Sequence, residues 1–464
     1  MPFYPDLKID EGDTQAIKLK KRRVISNLQK IRQALDSHIE SSRETDRRSK
    51  SVRIATWNIR EFGSTSYGGR SFEELYYIAE IIAHFDIIAL QEVRDNLREL
   101  KRLMKYLGPD WSYIATDVTE GHAGNGERMV FLYNCLNVRF RNIAGELTLK
   151  EGNKIRASFG ERINLERGIR INLDSAYNLS GTYDASTITK GGKIKLDEDL
   201  EIPLPPECKL DIPEGSSLVL KKGQEIIRPV HGKATVTVPT GVVEGEQYGL
   251  RFPEDTFDDS LRQFARTPFL ISFQSGWLQL NLCTVHIYYG SETNVNKLKQ
   301  RENEIKHLTE ALASKANGEY KRDRESFMGV LGDFNILGKG HPTMEALESN
   351  GFEIPETLKS IPGSNVARDK AYDQIAFWKP GRISGYTRLD IIAANVFDYY
   401  EHIFRDQDEP IYRMEGVEIN GLKESSKFST WRTYKMSDHL PMWIELRTDF
   451  GEEYLQSISG DDQL

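Results

Sequence analysis

Six short segments of this chain carry, at or beside one end of an apolar run, a side chain that can hold a proton, a metal ion or an anion. They are ATWNIREFG with Asn58, DIIALQEVRD with Glu92, NGERMVFLY with Glu127, LCTVHIYYG with His286, LGDFNI with Asp333 and Asn335, and MSDHLPMWIEL with Asp438 and His439. AYDQIAF adds Asp373. A charged group at a strand end is costly unless it is paired or metal-bound, and the strand ends of an open α/β sheet are where sites are usually built. Taken singly, each residue says little. A lone strand-end aspartate commonly serves a turn or cap, and a lone histidine such as His286 is commonly a satisfied core residue. The combination carries the signal.

The flanking patterns predict the elements that hold these groups. Strands are expected at 52–58, 86–92, 111–116, 129–134 and 136–140. A helix is expected after Ser71, where Ser71 and Glu74 form a capping box and Phe72, Leu75, Ile78, Ile82 and Phe85 share one face. A second fits 95–107, with Leu97, Leu100, Leu103 and Leu107 in phase. The pattern resumes with strands at 268–273 and 278–289, a long helix over about 294–315, a strand at 327–333, a short helix at 343–350 ended by Gly351, and strands at 373–378 and 440–446. Strand and helix alternate, which indicates a layered α/β core. Between 157 and 260 the helical period vanishes. Stretches such as KIKLDEDLEI and KATVTVPTG alternate between Pro and Gly, as an all-β insertion would. Ahead of the core, Ile17, Val24, Leu28, Ile31, Leu35 and Ile39 mark an amphipathic helix capped by Thr14. Its other face carries Lys18, Lys20, Lys21, Arg22, Arg23, Lys30 and Arg32, read as a solvated basic face or, more sharply, as a phosphate-binding one. The expected layout is an N-terminal helical extension and linker over 1–50, a catalytic domain over 51–447 containing the insertion, and a tail over 448–464.

The chain has 464 residues, 39% hydrophobic and 28% charged, ordinary for a globular protein. No apolar run reaches the 18 residues of a membrane-spanning helix, and the polar start MPFYPDLKIDEGD lacks the pattern of a secretion signal. Cys135, Cys208 and Cys283 form neither a disulfide framework nor a zinc pattern, so a reducing cytoplasm is expected. The net charge of −8 gives no general attraction to nucleic acid. A polyanionic substrate would have to be neutralised locally.

Over residues 52–150 and 262–447 the six motifs occur in the order of the endonuclease/exonuclease/phosphatase superfamily, and the chain resembles that family. NIR-FG, QEVRD, ER, R-P, GDFN, YD-I and SDH-P look like its deoxyribonuclease I-like branch. ERMVFLYN, QFARTPFLISF and the helical extension look like a bacterial branch. The resemblance implies an α+β fold, a four-layered α/β sandwich of two packed β-sheets flanked by helices. It also implies a divalent cation, Mg²⁺ with Mn²⁺ as a substitute and Ca²⁺ in a structural role. Glu92 would be its leading ligand, supported by Asn58, Asp333 and Asp438. Magnesium takes oxygen ligands and keeps several waters, and next to a phosphodiester it neutralises charge and helps generate hydroxide.

By the same resemblance His439 pairs with Asp373 and His286 with Glu127, one histidine acting as base and the other as acid. Asn335 contacts the phosphate, and Arg266 holds it through planar donors. Arg60 and Arg94 fall where the branch contacts DNA. One departure is that Asn125 stands near the place of a tyrosine that stacks in the minor groove. Three functions remain open at this level. One is an endonuclease leaving 5′-phosphate ends on DNA. Another is a phosphoesterase acting on a phosphoinositide, a sphingomyelin-like lipid or another small ester. The third is a non-enzymatic adaptor that binds a protein partner through the insertion. The intact metal and histidine positions argue against the adaptor. The absence of the asparagine motif and tryptophan segment of inositol phosphatases favours the nuclease.

Overall fold

Two six-stranded sheets repeat one strand arrangement in the computed structural model, which describes residues 2–39, 50–64, 69–119, 126–149, 261–293, 295–321, 326–379 and 388–459 together with short segments between 155 and 251. The first sheet runs, edge to edge, through Ile391–Val396, Met442–Arg447, Ser51–Phe62, Ile87–Arg94, Glu127–Asn134 and Trp111–Ala115. The second runs through Phe352–Glu353, Asp373–Trp378, Ser326–Asp333, Leu278–His286, Phe269–Ser275 and Arg139–Glu146. In each, the two middle strands are parallel and all other pairings are antiparallel. Middle strands covered on both faces read as continuous apolar runs. Ser51–Phe62 is accordingly buried without interruption from Val52 to Ile59. One face of each sheet meets the other sheet, where Gln91 Nε2 donates to Thr284 Oγ1 at 2.8 Å.

Helices cover the outer faces and complete the layered α+β sandwich. Over the first sheet lie Phe72–Ile82 and, on top of it, Gln15–Ile39. The expected capping box at Ser71 and Glu74 forms, and Thr14 Oγ1 accepts from Ile17 N at 3.3 Å. Two expectations change here. The Phe72–Ile82 helix is not amphipathic in effect: every residue from Glu73 to Ile82 is buried, because the N-terminal helix closes its second side. The basic face of that N-terminal helix is also not simply solvated. Arg23 Nη2 lies 2.7 Å from Glu73 Oε2 and also meets Glu415, Arg32 Nε lies 2.8 Å from Glu80 Oε1, and Lys20 is buried beside Glu73. These cations neutralise carboxylates of the core. Ile17, assigned to the apolar face, is exposed.

Over the second sheet, the helix Val295–Tyr320 buries Ile305, Leu308, Leu312 and Ala316, and Asn281 Nδ2 donates to Glu319 Oε2 at 2.5 Å. The strand expected at 136–140 lies at Arg139–Glu146. Elements without an apolar period escaped the sequence reading: the strand Ile391–Val396 and the helices Glu409–Asn420 and Phe428–Lys435. The tail expected over 448–464 contains the helix Gly451–Ser459.

Residues 154–262, with 289–301, form a compact unit distinct from the rest of the chain. Between 155 and 262 its described part is made of short antiparallel strands. The entering strand Ile155–Arg156 pairs with the leaving strand Leu261–Arg262, so the chain departs and returns side by side. Residues 41–49 of the linker, Asn125 and most of the insertion lie outside the described residues. No helix among the described residues is long and apolar enough to cross a membrane.

Candidate metal and acid–base site

Sheet register explains why residues so far apart in sequence meet. Parallel strands deliver their C-terminal ends to one edge, and their antiparallel neighbours begin at that same edge. His286 is thus the register partner of Asp333, Asp333 of Asp373, and Arg94 of Glu127. In the first sheet Asn58 is the partner of Gln91, next to Glu92. Pairing is irregular between Asn58 and Phe62 and between Leu90 and Val93, and Glu92 takes a φ of 60° there. Such bulges re-aim side chains at sheet rims. Gly332 has the same kind of necessity. At its φ of 144° a Cβ would fall 2.1 Å from Val285 O, so only glycine lets Asp333 reach the rim against its parallel neighbour.

Two imidazoles face one carboxylate. His439 Nδ1 lies 2.7 Å from Asp373 Oδ2 and His286 Nδ1 2.9 Å from Glu127 Oε2. Their Nε2 atoms approach the same oxygen, Asp333 Oδ2, at 3.8 Å and 3.6 Å. Asn58 Nδ2 donates to that oxygen at 2.9 Å and to Glu92 Oε1 at 3.0 Å. Asn335 N donates to Asp333 Oδ1 at 2.8 Å, while its amide donates to Ile287 O at 2.8 Å. Arg266 Nε donates to Glu127 Oε1 at 2.6 Å. The Asp438 side chain is 45% exposed and lies 3.2 Å from Arg60 Nη1. Arg60 also stacks on Tyr434 with its guanidinium carbon 3.9 Å from the ring centre. Arg94 pairs with Glu61.

Burial and neighbouring charge set the protonation of this cluster. Burial works to raise the Glu127 pKa, but the His286 and Arg266 cations overcome it and hold the carboxyl at about 2. Burial and the Arg266 cation work to lower His286, yet Glu127 and Asp333 carry it above its ordinary value. Burial opposes the charge on His439 as well, and Asp373 and Asp333 outweigh it, raising His439 well above the usual imidazole range. Burial pushes Asp373 up despite its imidazole partner. A carboxylate on one ring nitrogen fixes the tautomer and supports the imidazolium.

Several positioning groups carried no recognisable pattern. Ser364 Oγ donates to Asp373 Oδ2 at 2.6 Å. Ser437 Oγ donates to Asn58 O at 2.6 Å and accepts from His439 N at 3.0 Å. Glu304, on the Val295–Tyr320 helix, accepts from Ala265 N at 3.0 Å and Tyr288 N at 3.2 Å, gripping the chain beside both Arg266 and His286. Ser437 lies inside the SDH motif, which does not show what its hydroxyl meets; the others meet the site only through tertiary folding.

The donor set fits a hard divalent cation. Glu92, Glu127 and His286 each present a ligand atom, all within 4.8 Å of one another, and the Asp333 carboxylate shares Asn58 with Glu92. Oxygen-rich sites of this kind suit hard divalent cations better than soft metals.

No family model matches the chain. Over 88 residues it is 34% identical to Deoxyribonuclease-1 of Bos taurus, a stretch covering 18% of this chain and 30% of that protein. The chain therefore spans less than a third of the length of the curated relative it matches. A functionally unknown conserved protein from Enterococcus faecalis V583 is similar in structure at 14% identity, covering 85% of this chain and 98% of that one, with a TM-score of 0.41. An endonuclease/exonuclease/phosphatase family protein from Bacteroides thetaiotaomicron is similar at 14% identity, covering 86% of this chain and 98% of that one, with a TM-score of 0.36.

Proposed function

We propose that this chain is a divalent-metal-dependent phosphodiesterase of the endonuclease/exonuclease/phosphatase superfamily and that its substrate is DNA, cut internally. The observation that carries the reading is the convergence of two histidine–carboxylate pairs on Asp333, with Nε2 distances of 3.6 and 3.8 Å. Glu92 would hold the cation with Asn58, Asp333 and Asp438. When bound, the cation neutralises the phosphodiester and stabilises the charge that develops on it. His439, oriented by Asp373, would take the proton of the attacking water from its neutral form, which a cation beside Asp333 would favour by offsetting that carboxylate's pull on the imidazole. His286, held by Glu127, gives a proton to the leaving oxygen. Arg266 and Asn335 orient the phosphate, and Arg60 and Arg94 contact the flanking strand. Asp333, which both Nε2 atoms face, orients the water.

The test is a panel of plasmid, single-stranded DNA, RNA, inositol phosphates and sphingomyelin, each with Mg²⁺ and with chelator. Nicking of plasmid that chelator abolishes is the expected result. Hydrolysis of inositol phosphates or sphingomyelin alone would replace DNA as the substrate. That second reading has one observation in its favour: Arg60 and Arg94 are both engaged with carboxylates, Asp438 and Glu61, which lessens the cationic surface offered to the strand flanking a DNA cleavage point.

A further inference from the structure

The bulge that aims Asn58 leaves main-chain carbonyls without a strand partner, and so does the helix end that precedes Asp438 and His439. Strand pairing fails between Asn58 and Phe62. The helix Phe428–Lys435 ends at Met436, which leaves the helical conformation. Buried carbonyls need donors, and a single side chain supplies them on both sides. Arg70 is buried. Its Nη2 lies 2.8 Å from Ile59 O, 2.8 Å from Arg60 O and 2.9 Å from Met436 O, and its Nε lies 2.9 Å from Lys435 O. The contact is returned: Lys435, also buried, donates from Nζ to Gly69 O at 2.8 Å. Glu99 neutralises Arg70, with Nη1 3.4 Å from Oε2, and fixes the loop by accepting from Arg70 N at 2.7 Å and Gly63 N at 3.0 Å.

We propose that Arg70 is a positioning residue that sets the separation of Asn58 from the Asp438–His439 pair, and so controls cation affinity and turnover; this rests on the function proposed above. Ile59 and Arg60 directly follow Asn58, while Lys435 and Met436 lie just before Ser437, Asp438 and His439. The guanidinium therefore ties together the two chain segments that bear these groups. Only a planar fork with several donors can meet carbonyls on both sides at once. A lysine, a point charge with three donors, cannot span them in one geometry.

The experiment compares wild type, Arg70→Lys, Lys435→Met and the double variant. Each is read by circular dichroism, by Mn²⁺ titration of tryptophan emission, and by kcat and KM on bis(p-nitrophenyl) phosphate. Trp57, whose indole donates to His439 O at 3.0 Å, puts one of the chain's six tryptophans beside the site. Arg70→Lys should stay folded, bind Mn²⁺ about 10- to 100-fold more weakly and lose kcat by a similar factor, with KM changed by less than about threefold. Lys435→Met should move the same quantities by less, and the double variant should be no worse than Arg70→Lys alone, because both changes open one clasp. A folded Arg70→Lys with wild-type Mn²⁺ affinity and kcat overturns the proposal. So does an unfolded Arg70→Lys accompanied by a Lys435→Met that behaves as wild type. A wild type that binds Mn²⁺ but hydrolyses no phosphoester refutes the proposed function, and the titration then still decides the role of Arg70. A wild type with no Mn²⁺ affinity overturns both.

Discussion

Glu127→Gln isolates the electrostatics of the site from its shape. The carboxylate stands between Arg266 Nε at 2.6 Å and His286 Nδ1 at 2.9 Å, and glutamine keeps its volume while removing its charge. The pKa falls from 4.5 to about 2 on folding, against the cost of burial. At about 1.4 kcal/mol per pH unit, the difference of about 2.5 units corresponds to about 3 kcal/mol of native-state stabilisation. That is the scale expected when one partner of a buried ion pair is removed.

The sign follows from linkage. A carboxyl with a depressed folded pKa contributes fully above its unfolded value and loses that contribution as pH falls through the folded one. Urea unfolding in the presence of chelator, followed by tryptophan emission, should therefore find Glu127→Gln about 3 kcal/mol less stable than wild type at pH 7. The gap should hold down to about pH 5 and then shrink by about 1.4 kcal/mol for each further pH unit. A gap below about 1 kcal/mol at pH 7, or one as large at pH 3 as at pH 7, would refute the reasoning. The same variant also tests the acid role of His286. With Glu127 neutral, burial and the Arg266 cation are less opposed, so the imidazolium should be lost at lower pH and the alkaline limb of the pH–rate profile should move down.

Glu92→Gln should abolish hydrolysis in a folded protein and weaken Mg²⁺ binding by calorimetry; unchanged affinity would remove Glu92 from the ligands. His439→Ala and Asp333→Ala should each lower turnover by at least about a hundredfold, and Asp373→Asn should do so more mildly; an unaltered pH–rate profile in Asp373→Asn would disprove its part in tuning His439. Gly332→Ala should destabilise by at least about 3 kcal/mol, since its Cβ would sit 2.1 Å from Val285 O; an unchanged melting temperature would contradict that geometry. Replacing 157–260 by a short Gly/Ser turn between the paired strands Ile155–Arg156 and Leu261–Arg262 should leave a folded enzyme that hydrolyses bis(p-nitrophenyl) phosphate with altered preference among nucleic acids. Loss of that hydrolysis in a folded variant would put catalytic groups in the insertion, and unchanged preference would make it a structural elaboration.

The legible part of this molecule is what local pattern encodes. The strand of 86–92 was visible because DIIALQE is a buried run of strand length, and the Ser71 helix because its capping box is written in four consecutive residues. The pairs His439–Asp373 and His286–Glu127 follow from family resemblance, not from any local pattern, and in the structure their contacts measure 2.7 and 2.9 Å. What escaped depends on partners distant in sequence. The burial of Glu73 to Ile82 could not be read from Phe72–Ile82, because the second covering surface comes from Gln15–Ile39. Arg23 and Arg32 looked like surface cations because their carboxylates, Glu73, Glu415 and Glu80, lie elsewhere in the chain. The helix Glu409–Asn420 was hidden for another reason: Gly416 breaks its course at a φ of 64°, and Ile411, Met414 and Val417 remain exposed, so no buried stripe marks it.

The same contrast holds within the site. Bringing carboxylates and imidazoles to a sheet rim requires the strands to stop being regular there. Arg60, Glu61, Glu92 and Asn335 all take positive φ, a conformation that costs a non-glycine residue of the order of 1 to 3 kcal/mol. Irregular backbone also releases carbonyl and amide groups from the ladder. Each of the groups that sequence reading missed answers one of these debts: Arg70 the carbonyls of Ile59 and Arg60, Ser437 that of Asn58, Glu99 the amide of Gly63, and Glu304 the amides of Ala265 and Tyr288. The residues that present chemistry announce themselves by type and motif because the reaction constrains what they are. The residues that hold the rim in shape are constrained by which backbone groups are left over, and that is settled only once both sheets have formed.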